Sequence, residues 1–211
     1  MKVSIIMASY NHARYLPAAI NSALAQTHQD IELVIVDDCS KDDSRQVITQ
    51  FQEKFPDKIK AVFHQTNSGG HGGSVKTGFE HSTGEIIAFL DSDDVWKPNK
   101  LQKVVEAFND PNVMGVMHPL DVIDKDGNVI QSASNRPLPS GDLEKVIMDT
   151  GGTWHYPPTS ALAFRRSALE KILPIVLAID PPDWFMVWMD GCLLPCAAFL
   201  GQIQAINSVS Q

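Results

Sequence analysis

Gly84-Glu85-Ile86-Ile87-Ala88-Phe89-Leu90-Asp91-Ser92-Asp93-Asp94-Val95-Trp96 is the stretch that decides how this chain folds. Five consecutive apolar residues, Ile86 to Leu90, have the pattern of a strand buried on both faces, as in a parallel sheet covered by helices. Three carboxylates follow within four residues. Like charges this close repel by several kcal/mol at low effective dielectric, so water, protonation or a bound cation must relieve them. The crevice beyond the carboxyl ends of the strands in an open αβ sheet is such a place.

Working outward, Val3 to Ala8, Ile31 to Val36 and Ile59 to Phe63 read as further buried strands. Between them, Leu16, Ile20, Ala23 and Leu24 follow helical spacing with Pro17 in the first turn, and Val47, Ile48, Phe51 and Phe55 do the same up to Pro56. Alternating strand and helix means βαβ units and a mostly parallel sheet. The run Asn67-Ser68-Gly69-Gly70-His71-Gly72-Gly73-Ser74 lets backbone N–H groups approach a ligand or a neighbouring loop, and a helix with Val75, Lys76 and Phe79 follows. Pro98 suits the first turn of a helix striped by Leu101, Val104, Val105 and Phe108.

In the second half, Val113 to Met117 reads as a strand, and Asp124 to Asn128 as a hairpin turn between Val122-Ile123 and Val129-Ile130. A helix is expected from Asp142 to Met148, a strand over Ser160 to Phe164 and a short helix from Ser167 to Leu173. Trp184 to Leu200 reads as one helix or two, broken near Gly191 and Pro195.

The 211 residues are 44% hydrophobic, enough for one large domain with its own core. Seventeen Lys and Arg against twenty-five Asp and Glu give a net charge of −8, which argues against nucleic acid as the main partner. Cys39, Cys192 and Cys196 are an odd, sparse set that suits a reducing compartment; Cys192 and Cys196 are expected to pack in a core rather than bind zinc. Met1-Lys2-Val3-Ser4 leads straight into a strand without an apolar leader, and Asp180, Pro181, Pro182, Asp183 and Asp190 interrupt the apolar region from Ile172 to Ile203. The expected location is the cytoplasm, with peripheral contact at a membrane surface left open.

Asp91 and Asp93 supply the oxygen ligands that Mg²⁺ or Mn²⁺ prefers. An EF-hand loop starting at Asp91 fails, because Val95, Trp96 and Gln102 stand where an oxygen ligand, Gly and Glu are required. A phosphatase Asp-x-Asp-x-Thr fails at Val95. The plain alternative is a solvated acidic loop that caps the helix after Pro98. Asp37-Asp38 and Ser9-Tyr10-Asn11 stand at the ends of two other strands and complete a nucleotide-sized crevice. Each has its own plain reading: Asp38 as the cap of a helix beginning near Asp42, and Asn11 as a turn residue. The glycine run is neither a Walker loop nor Gly-x-Gly-x-x-Gly. Lys76 either reaches a phosphate, pairs with the acidic cluster or is a surface lysine.

The ordered segments Ala8-Ser9-Tyr10-Asn11, Val36-Asp37-Asp38-Cys39-Ser40-Lys41-Asp42, Asn67-Ser68-Gly69-Gly70 and Gly84-Glu85 with Asp91-Ser92-Asp93-Asp94 resemble the GT-A-fold glycosyltransferases of family 2. Thr159 to Leu169 resembles the acceptor-side strand and helix of the same family. The resemblance implies a three-layer αβα GT-A fold, Rossmann-like, with a mostly parallel central sheet. It implies one domain over 1–211, with a nucleotide-sugar-binding half over about 1–118 and an acceptor-side half over about 119–211 that stops short of further acceptor-side elements.

The donor implied is a nucleotide-diphosphate sugar, foremost a UDP-sugar, and the acceptor a saccharide or a lipid-linked acceptor. Transfer would invert the anomeric carbon. Ser9, Tyr10, Asn11 and Asp38 would hold base and ribose, Lys76 a phosphate in the place of a frequent Arg, and Asp91, Ser92 and Asp93 the sugar-diphosphate. Mg²⁺ or Mn²⁺ would sit on Asp93 foremost and on Asp91, with Asp94 a second candidate. The base that takes the acceptor proton is best matched by Asp190, in Trp188-Met189-Asp190-Gly191-Cys192, with Asp183 and Asp180 as alternatives. Met189 replaces the Glu of the family's Glu-Asp pair, and an N-cap role for Asp190 is compatible with catalysis. Trp154 and His155 suit stacking on an acceptor sugar or an ordinary packed loop. Two other readings are a sugar-nucleotide pyrophosphorylase, disfavoured by the absence of a Gly-rich loop after the first strand, and a silent nucleotide-sugar-binding module.

Overall fold

The computed structural model describes residues 1–132, 137–151, 156–178 and 189–207, apart from the side chains of 189 and 190. The first half runs β1 (Val3–Ser9), α1 (Leu16–Leu24), β2 (Ile31–Asp37), α2 (Ser44–Lys54), β3 (Ile59–Phe63), α3 (His71–Glu80), β4 (Ile86–Phe89), α4 (Lys100–Ala107) and β5 (Val113–Met117). The second continues with β6 (Val122–Ile123), β7 (Val129–Gln131), α5 (Glu144–Thr150), a 3-10 turn (Thr159–Ala161), β8 (Leu162–Arg165), α6 (Arg166–Leu177), α7 (Met189–Ala198) and β9 (Gln202–Ala205).

One seven-stranded sheet has the order β3-β2-β1-β4-β8-β5-β9. β1, β2, β3 and β4 are parallel; β8 is antiparallel to both β4 and β5, and β9 runs parallel to β5. Residues alternate between faces as a strand's period of two demands. Val3, Ile5 and Met7 of β1 pack with Leu16 and Ile20 of α1, Ile48 of α2 and Leu101 and Val104 of α4. Ile6, Ile87 and Phe89 turn to the other face, against Val75 of α3, Ile147 of α5, Leu169 of α6 and Leu193 of α7. The result is the expected αβα sandwich, with α1, α2 and α4 on one side and α3, α5, α6 and α7 on the other.

Several local expectations shift. α3 begins at His71 rather than near Val75, so the glycine run forms its first turn. Gly73 is needed there: a Cβ at this position would lie 2.5 Å from the Ser68 Cβ. α4 starts at Lys100, leaving Pro98 outside it, where its carbonyl accepts Thr27 N–H at 2.8 Å. α7 passes through Gly191 and Pro195 without a break. β9 is an addition, an edge strand whose Ile203 and Ala205 are buried. No helix among the described residues is long and apolar enough to cross a membrane.

Candidate active site

In the order β3-β2-β1-β4 the connections leave β1 in opposite directions, so the switch point of the sheet lies between β1 and β4. β1 delivers Ser9-Tyr10-Asn11 there and β4 the acidic segment. Asp94 N–H donates to the Asp91 carbonyl at 3.1 Å and closes a tight turn. Asp93 points outward and is exposed, while Asp91 and Asp94 are half-buried. The turn rests on a buried platform. Asp91 N–H donates to Ser160 Oγ at 2.8 Å, and the Ser160 carbonyl accepts from Trp96 Nε1 at 3.0 Å and Lys100 Nζ at 2.8 Å. Lys100 is only 1% exposed, with Nζ 3.3 Å from the Trp96 ring centroid.

Burial pushes the Asp91 carboxyl above its ordinary range, opposed by His71 and Ser160 and reinforced by Asp94 and Asp93. Burial raises Asp94 as well, with Ser160 and Lys100 opposing and Asp93 adding to the rise. Lys100 is driven well below its usual value by burial, against the pull of Asp94 and Asp91. Burial dominates all three shifts and leaves the carboxylates poorly solvated, a charge that a hard divalent cation would offset. Among the described residues no three His, Cys, Asp or Glu side chains converge into a ready-made cage. Mg²⁺ and Mn²⁺ commonly take one or two carboxylates and complete their shell with substrate phosphates and water, so the acidic turn fits such an ion.

On the other flank Asp38 is buried and heavily engaged. Oδ1 accepts from His64 Nδ1 at 2.7 Å and Ser68 N–H at 2.8 Å, and Oδ2 from Ser68 Oγ at 2.9 Å. Burial acts to raise its pKa, but the bonds from His64 and Ser68 outweigh it and hold the carboxyl below its ordinary range. An ionised carboxylate has about four acceptor positions. Among the described residues two donors occupy Oδ1, while Oδ2 meets only Ser68 Oγ, whose one hydrogen is shared with the Gly70 carbonyl at 3.1 Å, so the acceptor capacity that remains is on Oδ2. The helix-cap reading of Asp38 is thereby corrected: α2 starts at Ser44, whose N–H donates to Asp42 Oδ1 at 3.0 Å.

Asn11 adopts the left-handed region at φ 56°, which Asn tolerates. Its Oδ1 accepts Lys41 N–H at 2.7 Å and its own N–H donates to Ser40 Oγ at 2.9 Å, tying the loop after β1 to the loop after β2. His12 ties it to the acidic turn, with Nδ1 2.7 Å from Ser92 Oγ. Ser92 is 2% exposed, so its hydroxyl is occupied by His12 beneath the crevice floor. Ser9 is also buried, and its Oγ has no hydrogen-bond partner among the described residues. Tyr10 is open at 41% exposure.

The structure gathers Ser9, Tyr10, Asn11, Asp38, Asp91, Ser92 and Asp93 along one edge of the sheet. Lys76 stands apart on the exposed face of α3, 3.9 Å from Glu80. The α3 side chain that meets the acidic turn is His71, with Nε2 3.5 Å from Asp91 Oδ1. Asp190 is the second residue of α7, and its side chain lies outside the description. Asp180, Asp183, Trp154 and His155 lie outside the described residues. Cys192 and Cys196 pack against the core on the α6–α7 face, as expected.

Sequence reasoning passed over His12, His64, Ser68, His71, Trp96, Lys100 and Ser160. His64 and Ser68 flank the glycine run, where attention fell on backbone freedom. Lys100 and Ser160 carry no local signal at all, because their partnership spans sixty positions.

A parallel αβα sheet with an acidic turn at its switch point is the GT-A arrangement of nucleotide-sugar enzymes. Residues 4–173 match the model of the glycosyl transferase family 2, and the chain belongs to that family. It is 56% identical over 208 residues to an uncharacterised glycosyltransferase of Nostoc sp. (strain PCC 7120), covering 98% of this chain and 62% of that protein. It is 34% identical over 127 residues, 60% of this chain and 49% of the relative, to the UDP-Glc:alpha-D-GlcNAc-diphosphoundecaprenol beta-1,3-glucosyltransferase WfgD of Escherichia coli. The chain therefore spans only about half to two thirds of these relatives. Among solved structures, residues 1–349 of S. aureus TarS in complex with UDP-GlcNAc superpose with a TM-score of 0.72 at 25% identity, covering 100% of this chain and 57% of that one.

Proposed function

We propose that this chain transfers a sugar from a UDP-sugar to an acceptor hydroxyl with inversion, using a divalent metal. The observation that carries the reading is the placement, across the carboxyl end of β1, of the acidic Asp91–Asp94 turn with its exposed Asp93 on one flank and Asp38 on the other. Base and ribose lie toward Asp38, Asn11 and Tyr10, and the diphosphate toward Asp91 and Asp93. A Mg²⁺ or Mn²⁺ on Asp93 and Asp91 would supply charge to the departing diphosphate. UDP is favoured by the UDP-sugars in the names of the Escherichia coli relative and of the TarS complex. Acceptor capacity on Asp38 Oδ2 suits the N3–H of uracil.

Asp190, in the first turn of α7, takes the acceptor proton as the new bond forms. The diphosphoundecaprenol-linked substrate in the name of the Escherichia coli relative makes a saccharide on a lipid carrier the acceptor class to test first, with the chain working at a membrane surface. In a thermal-shift panel with Mn²⁺, UDP-sugars should raise the melting temperature more than GDP-sugars, since a ligand of the folded state alone stabilises by mass action. Asp190→Asn should abolish transfer and leave that shift intact. If no nucleotide-sugar shifts the transition, the reading is wrong.

A further inference from the structure

We infer that His64 is a positioning residue for the donor base: its imidazole fixes Asp38 from behind and locks that carboxylate to helix α3. The inference rests on the donor-binding reading above and adds a residue to it. His64 directly follows β3. Its backbone is held at both ends, N–H donating to the Asp37 carbonyl at 2.9 Å and the carbonyl accepting from the Arg45 guanidinium. Its side chain is then left spanning two further elements, with Nδ1 2.7 Å from Asp38 Oδ1 and Nε2 2.9 Å from Thr77 Oγ1 on α3.

The chemistry of Asp38 assigns the Nδ1 proton. An ionised carboxylate only accepts, so Nδ1 carries the hydrogen, and the threonine hydroxyl, able to donate or to accept, completes the bridge at Nε2. With Nδ1–H and Ser68 N–H both on Oδ1, that oxygen is saturated and the carboxylate cannot rotate to present it. The open lone pair is confined to Oδ2, on the side where Ser68 Oγ already sits. The same ring steadies α3 through Thr77, and α3 brings His71 to Asp91 at 3.5 Å. The imidazole thus sets the aim of the base-binding carboxylate through Nδ1, and its contact with Thr77 seats the ring.

The two ring nitrogens can be tested separately, because an Asn amide reaches where Nδ1 is and a Gln amide reaches toward Nε2. UDP, uridine and inorganic pyrophosphate are titrated calorimetrically, each with Mn²⁺, into the full chain and into His64→Asn, His64→Gln and His64→Leu. A hydrogen bond to a charged group is worth enough that its loss should weaken UDP and uridine about tenfold or more in the Leu and Gln variants. The Asn variant should stay within about threefold of the parent, and pyrophosphate affinity should be equal in all four. A merely structural role would instead make the affinities follow the melting temperatures, with Asn no better than Leu. That pattern, or unchanged UDP affinity in His64→Leu, overturns the inference while leaving the donor reading standing. A parent chain that binds no UDP overturns both.

Discussion

Single side chains in this molecule are set by the groups they meet rather than by their own preference, and Glu32 shows the rule away from the crevice. It lies at the amino end of the sheet, where Ser4 Oγ donates to Oε1 at 2.5 Å, Lys2 Nζ to Oε2 at 3.0 Å and Thr83 N–H to Oε1 at 2.5 Å. Burial acts to raise its pKa, but these bonds outweigh burial and lower it from 4.5 to about 2. A depressed carboxyl stabilises the fold at pH above its unfolded value and loses that contribution as the pH falls. Unfolding free energy should therefore drop between about pH 4.5 and about pH 2, and Glu32→Gln should flatten that part of the curve. Denaturant titrations at a series of pH values check both. At this scale the sequence was legible for where the acidic turn, Asn11 and Asp38 stand, at the carboxyl ends of their strands. It was silent on Lys100, because a lysine beside Pro98 reads as surface until a carbonyl sixty residues away is seen to hold its ammonium.

Among the elements, those with a strong apolar period were readable. β1 to β5, α1, α2 and the β6–β7 hairpin all stand where their spacing put them. What escaped was decided by neighbours. Gly201 lets β9 run close to β5, since a Cβ there would lie 2.6 Å from the Asn112 carbonyl oxygen, yet Gln202-Ile203-Gln204-Ala205 is too short to stand out alone. Pro195 survives inside α7 because tertiary packing of Leu193, Leu194 and Ala197 overrides a local preference. Gly84 joins β4 to the chain start under the tightest constraint. A Cβ there would come within 2.6 Å of Ser4 N and 2.8 Å of the Lys2 carbonyl oxygen, both backbone atoms that cannot yield. Gly84→Ala should therefore destabilise the protein by about 2 kcal/mol or more, read as a lower denaturation midpoint at unchanged slope.

For the whole molecule, the informative feature is β8. It enters antiparallel between β4 and β5, so the second half of the chain is threaded into the sheet of the first rather than appended to it. Ser160, just before β8, makes the junction concrete by holding Asp91, Trp96 and Lys100. Ser160→Ala removes the hydroxyl that meets the acidic turn and should weaken Mn²⁺-dependent nucleotide binding several-fold, with a loss of about 1 kcal/mol in stability. A calorimetric titration beside a melting curve separates the two effects. The measurement that bears most directly on the central claim is the titration of UDP into the parent chain and into Asp93→Ala, each with and without Mn²⁺. The expected result is UDP binding that Mn²⁺ strengthens in the parent, with that strengthening lost in Asp93→Ala. UDP affinity that ignores the metal in the parent, or a metal response that survives Asp93→Ala, would contradict it.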